Sequence, residues 1–355
     1  MRGAVVLGAS GLVGQRLQQR LANHPMFDLR ALAGSSRTAG LSPETLPWGL
    51  EGEAPPLHLP PVLDVQDPAL IETLRDLGIT WAFSAVPASV ALELESRLVD
   101  GGIRVCSNAS AHRRRTDVPL VVADVNPQHL AARPPNEVLH ACATNCTLIP
   151  LLMPYLALHR AFGVSSYHAI SEQARSGAGY PLLRGEVPLV LDIPGEAEKT
   201  MAELAWVTGQ LNAGVVEPAT VDARMRCQRV DETEGHVVDV VFDLAQPTTL
   251  REVEGALDAF TTHPDAAGLP SAPHAPMMRI DGSVERRLHL WADGLSFPTS
   301  VDPASDLQAG MAVVVGDVQM ERSTRVRLRA LSHNTVRGAA GGVVLLAELA
   351  STLWP

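Results

Sequence analysis

The stretch Gly3-Ala4-Val5-Val6-Leu7-Gly8-Ala9-Ser10-Gly11-Leu12-Val13-Gly14, continued by Gln15-Arg16-Leu17-Gln18-Gln19-Arg20-Leu21, decides the fold. A short apolar run reads as a buried strand, the glycines as a tight turn, and the apolar spacing beyond them as a helix. Gly8, Gly11 and Gly14 form a G-x-x-G-x-x-G spacing, a variant of the dinucleotide fingerprint in which bare backbone closes on a pyrophosphate at a helix N-terminus. Gly8, Ser10, Gly11, Leu12, Val13 and Gly14 are therefore the expected cofactor-binding residues of this turn. A second strand fits Asp28 to Ala33 and runs into Gly34-Ser35-Ser36-Arg37. An NAD site usually ends this strand with an acidic residue on the ribose 2′-hydroxyl, whereas hydroxyls and an arginine favour a 2′-phosphate. NADP is the expected cofactor, with Ser35, Ser36 and Arg37 as its partners. Strands at Ile79 to Ala85 and Ile103 to Cys106 alternate with helical patterns at Ala69 to Leu77 and Ser89 to Val99, as in a doubly wound α/β sheet. The Pro- and Gly-rich segment Ser42 to Pro61 reads as a surface excursion.

Working outward, 355 residues are too many for one compact core, and two domains are expected. After Pro150 the pattern changes: Val237 to Leu244 and Met311 to Met320 read as long strands, Glu196 to Leu211 and Thr249 to Thr261 as helices. That mixture predicts a second, α+β domain. The Ala- and Leu-rich pattern Thr335 to Leu353, opened by the polar Ser332 to Asn334, predicts a C-terminal helix that returns to the first domain. The expected division is 1–146, 147–331 and 332–355.

Composition bounds the function. Hydrophobic residues at 46% and charged residues at 19% exclude disorder, collagen and coiled coil. A net charge of -11 repels phosphate backbones, and the cluster Arg113 to Arg115 is too short to reverse that, so no nucleic acid is expected. The apolar stretch Leu148 to Leu158 is broken by Pro150 and Pro154 and falls short of the roughly 20 residues of a spanning helix, so no membrane span is expected. Met1 and Arg2 lead directly into a strand without a charged leader or secretory apolar segment, which makes the cytoplasm the expected compartment. Cys106, Cys142, Cys146 and Cys227 form no C-x-x-C pair, so neither a disulfide scaffold nor a metal site is expected. Lys199 is the only lysine in the chain.

Two residues carry candidate chemistry. Ala143-Thr144-Asn145-Cys146-Thr147 places a cysteine just before the run from Leu148, where a helix N-terminus lowers a thiol pKa and makes a nucleophile. Cysteine is more often a small buried residue, so position alone leaves both readings open. His236 follows Glu234-Gly235 and opens a strand, a place from which an imidazole projects into a cleft. With 12 histidines in the chain, it too needs a partner.

Six blocks supply that partner. Ser107-Asn108-Ala109-Ser110-Ala111-His112-Arg113, Ala143 to Thr147, Gln173 with Ser176-Gly177-Ala178-Gly179-Tyr180-Pro181, Gly195-Glu196-Ala197-Glu198-Lys199, Arg229 to His236, and Asn334 to Gly341 together resemble the aspartate-β-semialdehyde dehydrogenases, in their archaeal and fungal branch. The blocks run in the family's order from Gly8 to Leu349. The resemblance implies a Rossmann-like NADP-binding domain, a catalytic and dimerisation domain, and a homodimer or homotetramer. It matches Cys146 to the nucleophile, Asn145 to a residue orienting the thiol, His236 to the acid/base and Gln173 to a pocket wall. Arg229 matches the fork for the substrate α-carboxylate and Glu196 the partner of its amino group. Asn108, Arg113 and Lys199 match phosphate-binding positions. Ser176, Gly177 and Asn334 match the cofactor side, Gly177 and Gly179 by close backbone approach.

The implied enzyme is an NADP-dependent, phosphorylating aldehyde dehydrogenase. In the reductive direction it makes aspartate-4-semialdehyde and phosphate from 4-aspartyl phosphate, in lysine, methionine and threonine biosynthesis. Reductases of N-acetylglutamyl phosphate or malonyl-CoA, and a non-catalytic NADP-binding paralogue, are the alternatives. The chain departs from the family pattern at Leu182-Leu183-Arg184-Gly185-Glu186, where the stretch to Gly195 is shortened, and between Arg286 and Gly310. The first departure bears on the pocket wall, the second on subunit contacts or substrate access.

Overall fold

Two six-stranded sheets organise the chain; the structure is a computed structural model that describes residues 1–354. The first begins with β1 (Arg2–Leu7), α1 (Leu12–Ala22), β2 (Phe27–Gly34) and β3 (Leu63–Asp64). It continues with α2 (Leu70–Asp76), β4 (Ile79–Ser84), α3 (Ala88–Asp100), β5 (Arg104–Ser107) and β6 (His140–Cys142). Its strands are all parallel in the order β3-β2-β1-β4-β5-β6. This is the doubly wound arrangement, and β1 sits at its centre because Ala4 to Leu7 are apolar on both faces.

The second unit contains α4 (Leu148–Phe162), β7 (Val164–Gln173), α5 (Tyr180–Leu183), α6 (Glu196–Val207), β8 (Gln210–Asn212), β9 (Val215–Glu217), β10 (Asp222–Arg229) and β11 (His236–Leu244). After these come α7 (Leu250–Asp258), β12 (Met277–Arg279), α8 (Arg286–His289), β13 (Val313–Arg322), β14 (Arg325–Ser332) and α9 (Gly341–Leu353). The sheet order β10-β7-β11-β14-β13-β12 mixes parallel and antiparallel pairs, and α4 and α7 pack on its apolar face. The expected helix Glu196 to Leu211 is shorter: it ends at Val207, and a turn leads into the β8-β9 hairpin.

One relationship positions the site. β7 and β10 run parallel, so Gln173 and Arg229 finish side by side, while antiparallel β11 starts at the same end with His236. His236 in turn pairs with Ser332, the last residue of β14. Four strand ends thus deliver Gln173, Arg229, His236 and the 332–334 segment to one edge.

The last segment returns to the first sheet. A π-helical turn, Val336–Ala340, runs into α9, which packs against α1 and β5. Arg337 donates two bonds to the buried Asp124 carboxylate, at 2.6 and 2.8 Å, and Glu348 meets His24 at 2.9 Å. Residues 336–353, within the helix expected at Thr335 to Leu353, are long and apolar enough, by length and composition, to cross a membrane. In this fold 83% of that stretch is buried.

The two departures from the family pattern find places. Within the first, residues 191–193 pair with the free edge of β10, Arg229 N–H donating to Leu191 O at 2.6 Å and Ile193 N–H to Cys227 O at 3.3 Å. The 286–310 segment packs against α1, where Arg20 donates to the carbonyls of Leu307 and Ala309 and the Trp291 ring lies 5.4 Å from the Arg16 guanidinium. It therefore braces the cofactor domain. The excursion after Ser42 is also tied to α1, Gln15 donating to Pro47 O at 2.7 Å and accepting from Gly49 N–H.

Candidate active site

The glycine turn is built as its spacing requires. Gly8 has φ +84°, and a Cβ there would stand 2.7 Å from Ala85 O; one on Gly14 would stand 2.1 Å from Gly8 O. A side chain at Gly8 would push the turn off the segment after β4 and one at Gly14 would push it off α1, so the bare cradle fits a dinucleotide phosphate. Ser35, Ser36 and Arg37 are exposed just past the end of β2.

Cys146 is the one cysteine of four that is not fully buried. Asn145 prepares its position: its Oδ1 accepts the N–H of Leu148, the first residue of α4, at 2.9 Å, and so ties the loop to the helix start. Cys146 opens onto a cavity of about 170 Å³ lined by Val13, Asn108, Arg113, Asn145, Ser176, Gly177, Asn334, Thr335, Gly338 and Ala339. The structure thus gathers eight of the sequence-predicted site residues, Val13 of the glycine turn with Asn108, Arg113, Asn145, Cys146, Ser176, Gly177 and Asn334, around one space.

Arg229 and His236 stand behind Gly177 and, like Gln173, do not line the cavity. A Cβ at 177 would lie 2.8 Å from Arg229 Nη1 and 2.9 Å from His236 Nε2, so only glycine lets these two side chains reach the cavity wall. Glu196 and Lys199 share one face of α6 at 3.9 Å and do not line the cavity; Lys199 is half exposed. Arg229 donates to Ala174 O at 3.0 Å, and Ala174 N–H donates to His236 Nδ1 at 3.2 Å. With Nδ1 accepting, the neutral ring carries its proton on Nε2, the atom aimed past Gly177.

Electrostatics corrects one expectation. The helix N-terminus was expected to lower the Cys146 pKa; instead burial pushes the thiol up to about 12, the Glu196 carboxylate adding to the effect and Arg113 and Arg229 opposing it. Burial also holds His236 down at about 3, with Arg229 and Arg286 adding to the shift. In the free protein the pair is therefore neutral thiol and neutral imidazole.

The polar atoms here are unusual in lacking partners. Both side-chain polar atoms of Asn108, Nδ2 of Asn145, Nε of Arg113 and Nε2 of His236 are buried and unpaired. Buried polar groups are normally satisfied, so this group of orphans marks a place built for a polar ligand.

Several residues that hold the site were not read from the sequence. Glu203 binds Arg113 and the Asn145 backbone. Glu234 accepts from Arg16 at 2.9 Å and from Thr335 at 2.8 Å, and Asn334 accepts from Gly235 N–H at 2.7 Å. The turn that carries His236 is thereby fixed to α1 and to the last segment. The signal for Glu203 was present, since it lies seven residues beyond Glu196 on the same helix face.

Comparison with known proteins agrees with this geometry. Residues 4–133 match the family model described as semialdehyde dehydrogenase, NAD binding domain. The aspartate-semialdehyde dehydrogenase of Methanothermobacter thermautotrophicus is 36% identical over 360 residues, covering 97% of each chain. A malonyl CoA reductase (NADP) from Metallosphaera sedula is 29% identical, covering 98% of this chain and 96% of that one. Among solved structures, the aspartate semialdehyde dehydrogenase with NADP from Candida albicans superposes with a TM-score of 0.81 at 27% identity over 99% of both chains.

Proposed function

The chain belongs to the aspartate-semialdehyde dehydrogenase family, and from that premise we propose that it interconverts aspartate-4-semialdehyde and phosphate with 4-aspartyl phosphate, using NADP. The observation that carries the reading is the set of orphaned donors and acceptors on Asn108, Arg113 and Asn145, which line the same cavity of about 170 Å³ as Cys146. The glycine turn and the cavity wall formed by Val13 and Ser176 would hold NADP, which accepts or supplies the hydride.

In the oxidative direction the Cys146 sulfur adds to the aldehyde carbon, and His236 gives its Nε2 proton to the carbonyl oxygen while taking the thiol proton in exchange, so that a thiohemiacetal forms. Departure of the hydride, with the hydroxyl proton passing to His236, leaves a thioester. A phosphate oxygen then attacks the acyl carbon, the C–S bond breaks, His236 returns the proton to the Cys146 sulfur, and 4-aspartyl phosphate leaves. Arg229, two-pronged and rigid, suits the α-carboxylate; Glu196 suits the amino group. Asn108, Arg113 and Lys199 suit the phosphate, Arg113 lying at the cavity wall with an unpaired Nε. Gln173, beside Arg229 in the sheet register, closes the same corner.

The same reading carries a cytoplasmic homo-oligomer acting in lysine, methionine and threonine biosynthesis, with neither nucleic acid nor membrane as a partner. The test is NADP reduction with L-aspartate-β-semialdehyde, with and without phosphate, beside Cys146→Ser. Phosphate-dependent reduction lost in the variant is the expected result. Turnover with malonyl-CoA and NADPH, and none with the semialdehyde, would transfer the assignment to the acyl-CoA chemistry of the Metallosphaera relative.

A further inference from the structure

Glu203, on α6 and almost fully buried, divides one carboxylate between two elements that lie far apart in the chain. One oxygen accepts from Arg113 Nη1 at 3.0 Å; the other accepts the backbone N–H of Asn145 at 2.6 Å. The remaining arm of Arg113, Nη2, donates to the Asn108 carbonyl at 2.7 Å. A turn earlier on the same helix, Thr200 Oγ1 reaches Asn145 Oδ1 at 3.5 Å. The loop that bears the nucleophile and the guanidinium at the cavity wall are thus held by one helix face, with Glu203 as their common anchor.

Resting on the function proposed above, we infer that Glu203 is a positioning residue for the acyl-transfer half of the reaction. It touches no reacting atom. Its two oxygens set the separation between the Arg113 guanidinium and the backbone next to Cys146, and so the approach of a phosphate oxygen to the thioester carbon. Reacting atoms must meet at about 3 to 3.5 Å, and a slip of 1 Å costs on the order of 100-fold in rate. The hydride-transfer half needs the sulfur and the cofactor, and Arg113 enters it only through its charge beside the thiol, a charge that Glu203→Gln leaves in place. Damage confined to the Arg113 arm therefore separates the two halves.

Glu203→Gln makes that cut. Its amide oxygen still accepts from Asn145 N–H, while its NH2 group now faces Arg113 and cannot pair with it. The experiment compares wild type, Glu203→Gln, Arg113→Gln and the double variant, each checked for folding by thermal melting. Two quantities are read: the phosphate-independent burst of NADPH per active site, and the KM values for phosphate and semialdehyde. The expected result is a burst and a semialdehyde KM within twofold of wild type in Glu203→Gln, with the phosphate KM raised at least tenfold. On the Arg113→Gln background, Glu203→Gln should add less than twofold. The double variant, which buries two neutral amides, keeps the comparison open if a single variant is unstable. Equal effects of Glu203→Gln on both backgrounds, or loss of the burst together with phosphate binding, would overturn the inference. A wild-type protein with no burst and no phosphate dependence would instead remove the function on which it rests.

Discussion

Nothing larger than a hydrogen atom fits between Gly338 and Cys146: a Cβ at position 338 would lie 2.6 Å from the Cys146 Cβ and 2.9 Å from its Cα. The π-helical turn Val336–Ala340 is what brings the two backbones together, Gly338 N–H donating to His333 O and Ala340 N–H to Thr335 O. Wide turns of this kind recur at functional sites. Gly338→Ala must displace Cys146, at a packing cost of about 1–3 kcal/mol. The expected outcome is a folded protein whose kcat/KM falls about 100-fold. Steady-state kinetics beside a melting curve checks this, and activity within twofold of wild type would show that the contact does not fix the sulfur.

The neutral thiol has a measurable signature. Alkylation proceeds through the thiolate, so in the free protein the rate at Cys146 should climb about tenfold per pH unit from pH 7 to 9 with no plateau. Burial places the thiol near 12, far above that range. His236, held near 3, has no proton to lose there, and His236→Gln should leave the profile unchanged. Peptide mass spectrometry after iodoacetamide treatment reads the rate at this cysteine. A plateau near pH 6 to 7, absent in His236→Gln, would mean a thiolate–imidazolium pair already exists without ligands.

What was legible in the sequence divides along physical lines. The β1-turn-α1 unit was readable because three glycines at fixed spacing admit few backbones. β3 and β6, of two and three residues, are too short to carry a pattern. β7, β10 and β14 were passed over although β14 alternates faithfully: Val326, Leu328 and Ala330 are buried between outward arginines. Their polar residues face out from a sheet covered on one side only, so they read as surface. Around the cavity, Asn108, Arg113, Asn145 and Cys146 were found through motif blocks. Glu203 was not: its spacing from Glu196 put it on the same helix face, but its partners lie 58 and 90 residues away and only the folded chain shows what it holds.

Arg16 joins parts of the chain that have no sequence proximity. Its side chain is fully buried, with Glu234 at 2.9 Å, Thr335 Oγ1 at 3.2 Å and the half-exposed Glu51 at 2.5 Å. Removing one member of a buried pair typically costs about 3–5 kcal/mol because the other is left uncompensated. Glu51 remains beside Arg16 when Glu234 is lost, so Glu234→Gln should cost less than Arg16→Leu, which strands two carboxylates. Both should lower kcat, since Glu234 stands two residues before His236. Urea unfolding gives the order of stabilities, and Glu234→Gln being the more destabilising would contradict the hub.

The last prediction concerns the cofactor. β2 ends at Gly34, and Ser35, Ser36 and Arg37 follow as exposed residues with no acidic side chain among them. The ribose 2′-hydroxyl of NAD would find no carboxylate on this turn, whereas a 2′-phosphate would find two hydroxyls and a guanidinium. A charge-assisted bond from an arginine is worth about 1.5–3 kcal/mol, and the exposure of Arg37 puts its contribution at the low end. Arg37→Ala should therefore raise the KM for NADP about tenfold at low salt while leaving that for NAD within twofold. Added salt should narrow the difference in the wild type by screening the same charge. Parallel titrations with the two cofactors decide the matter: equal loss of NADP and NAD binding in Arg37→Ala would show that the arginine shapes the turn and does not read the phosphate.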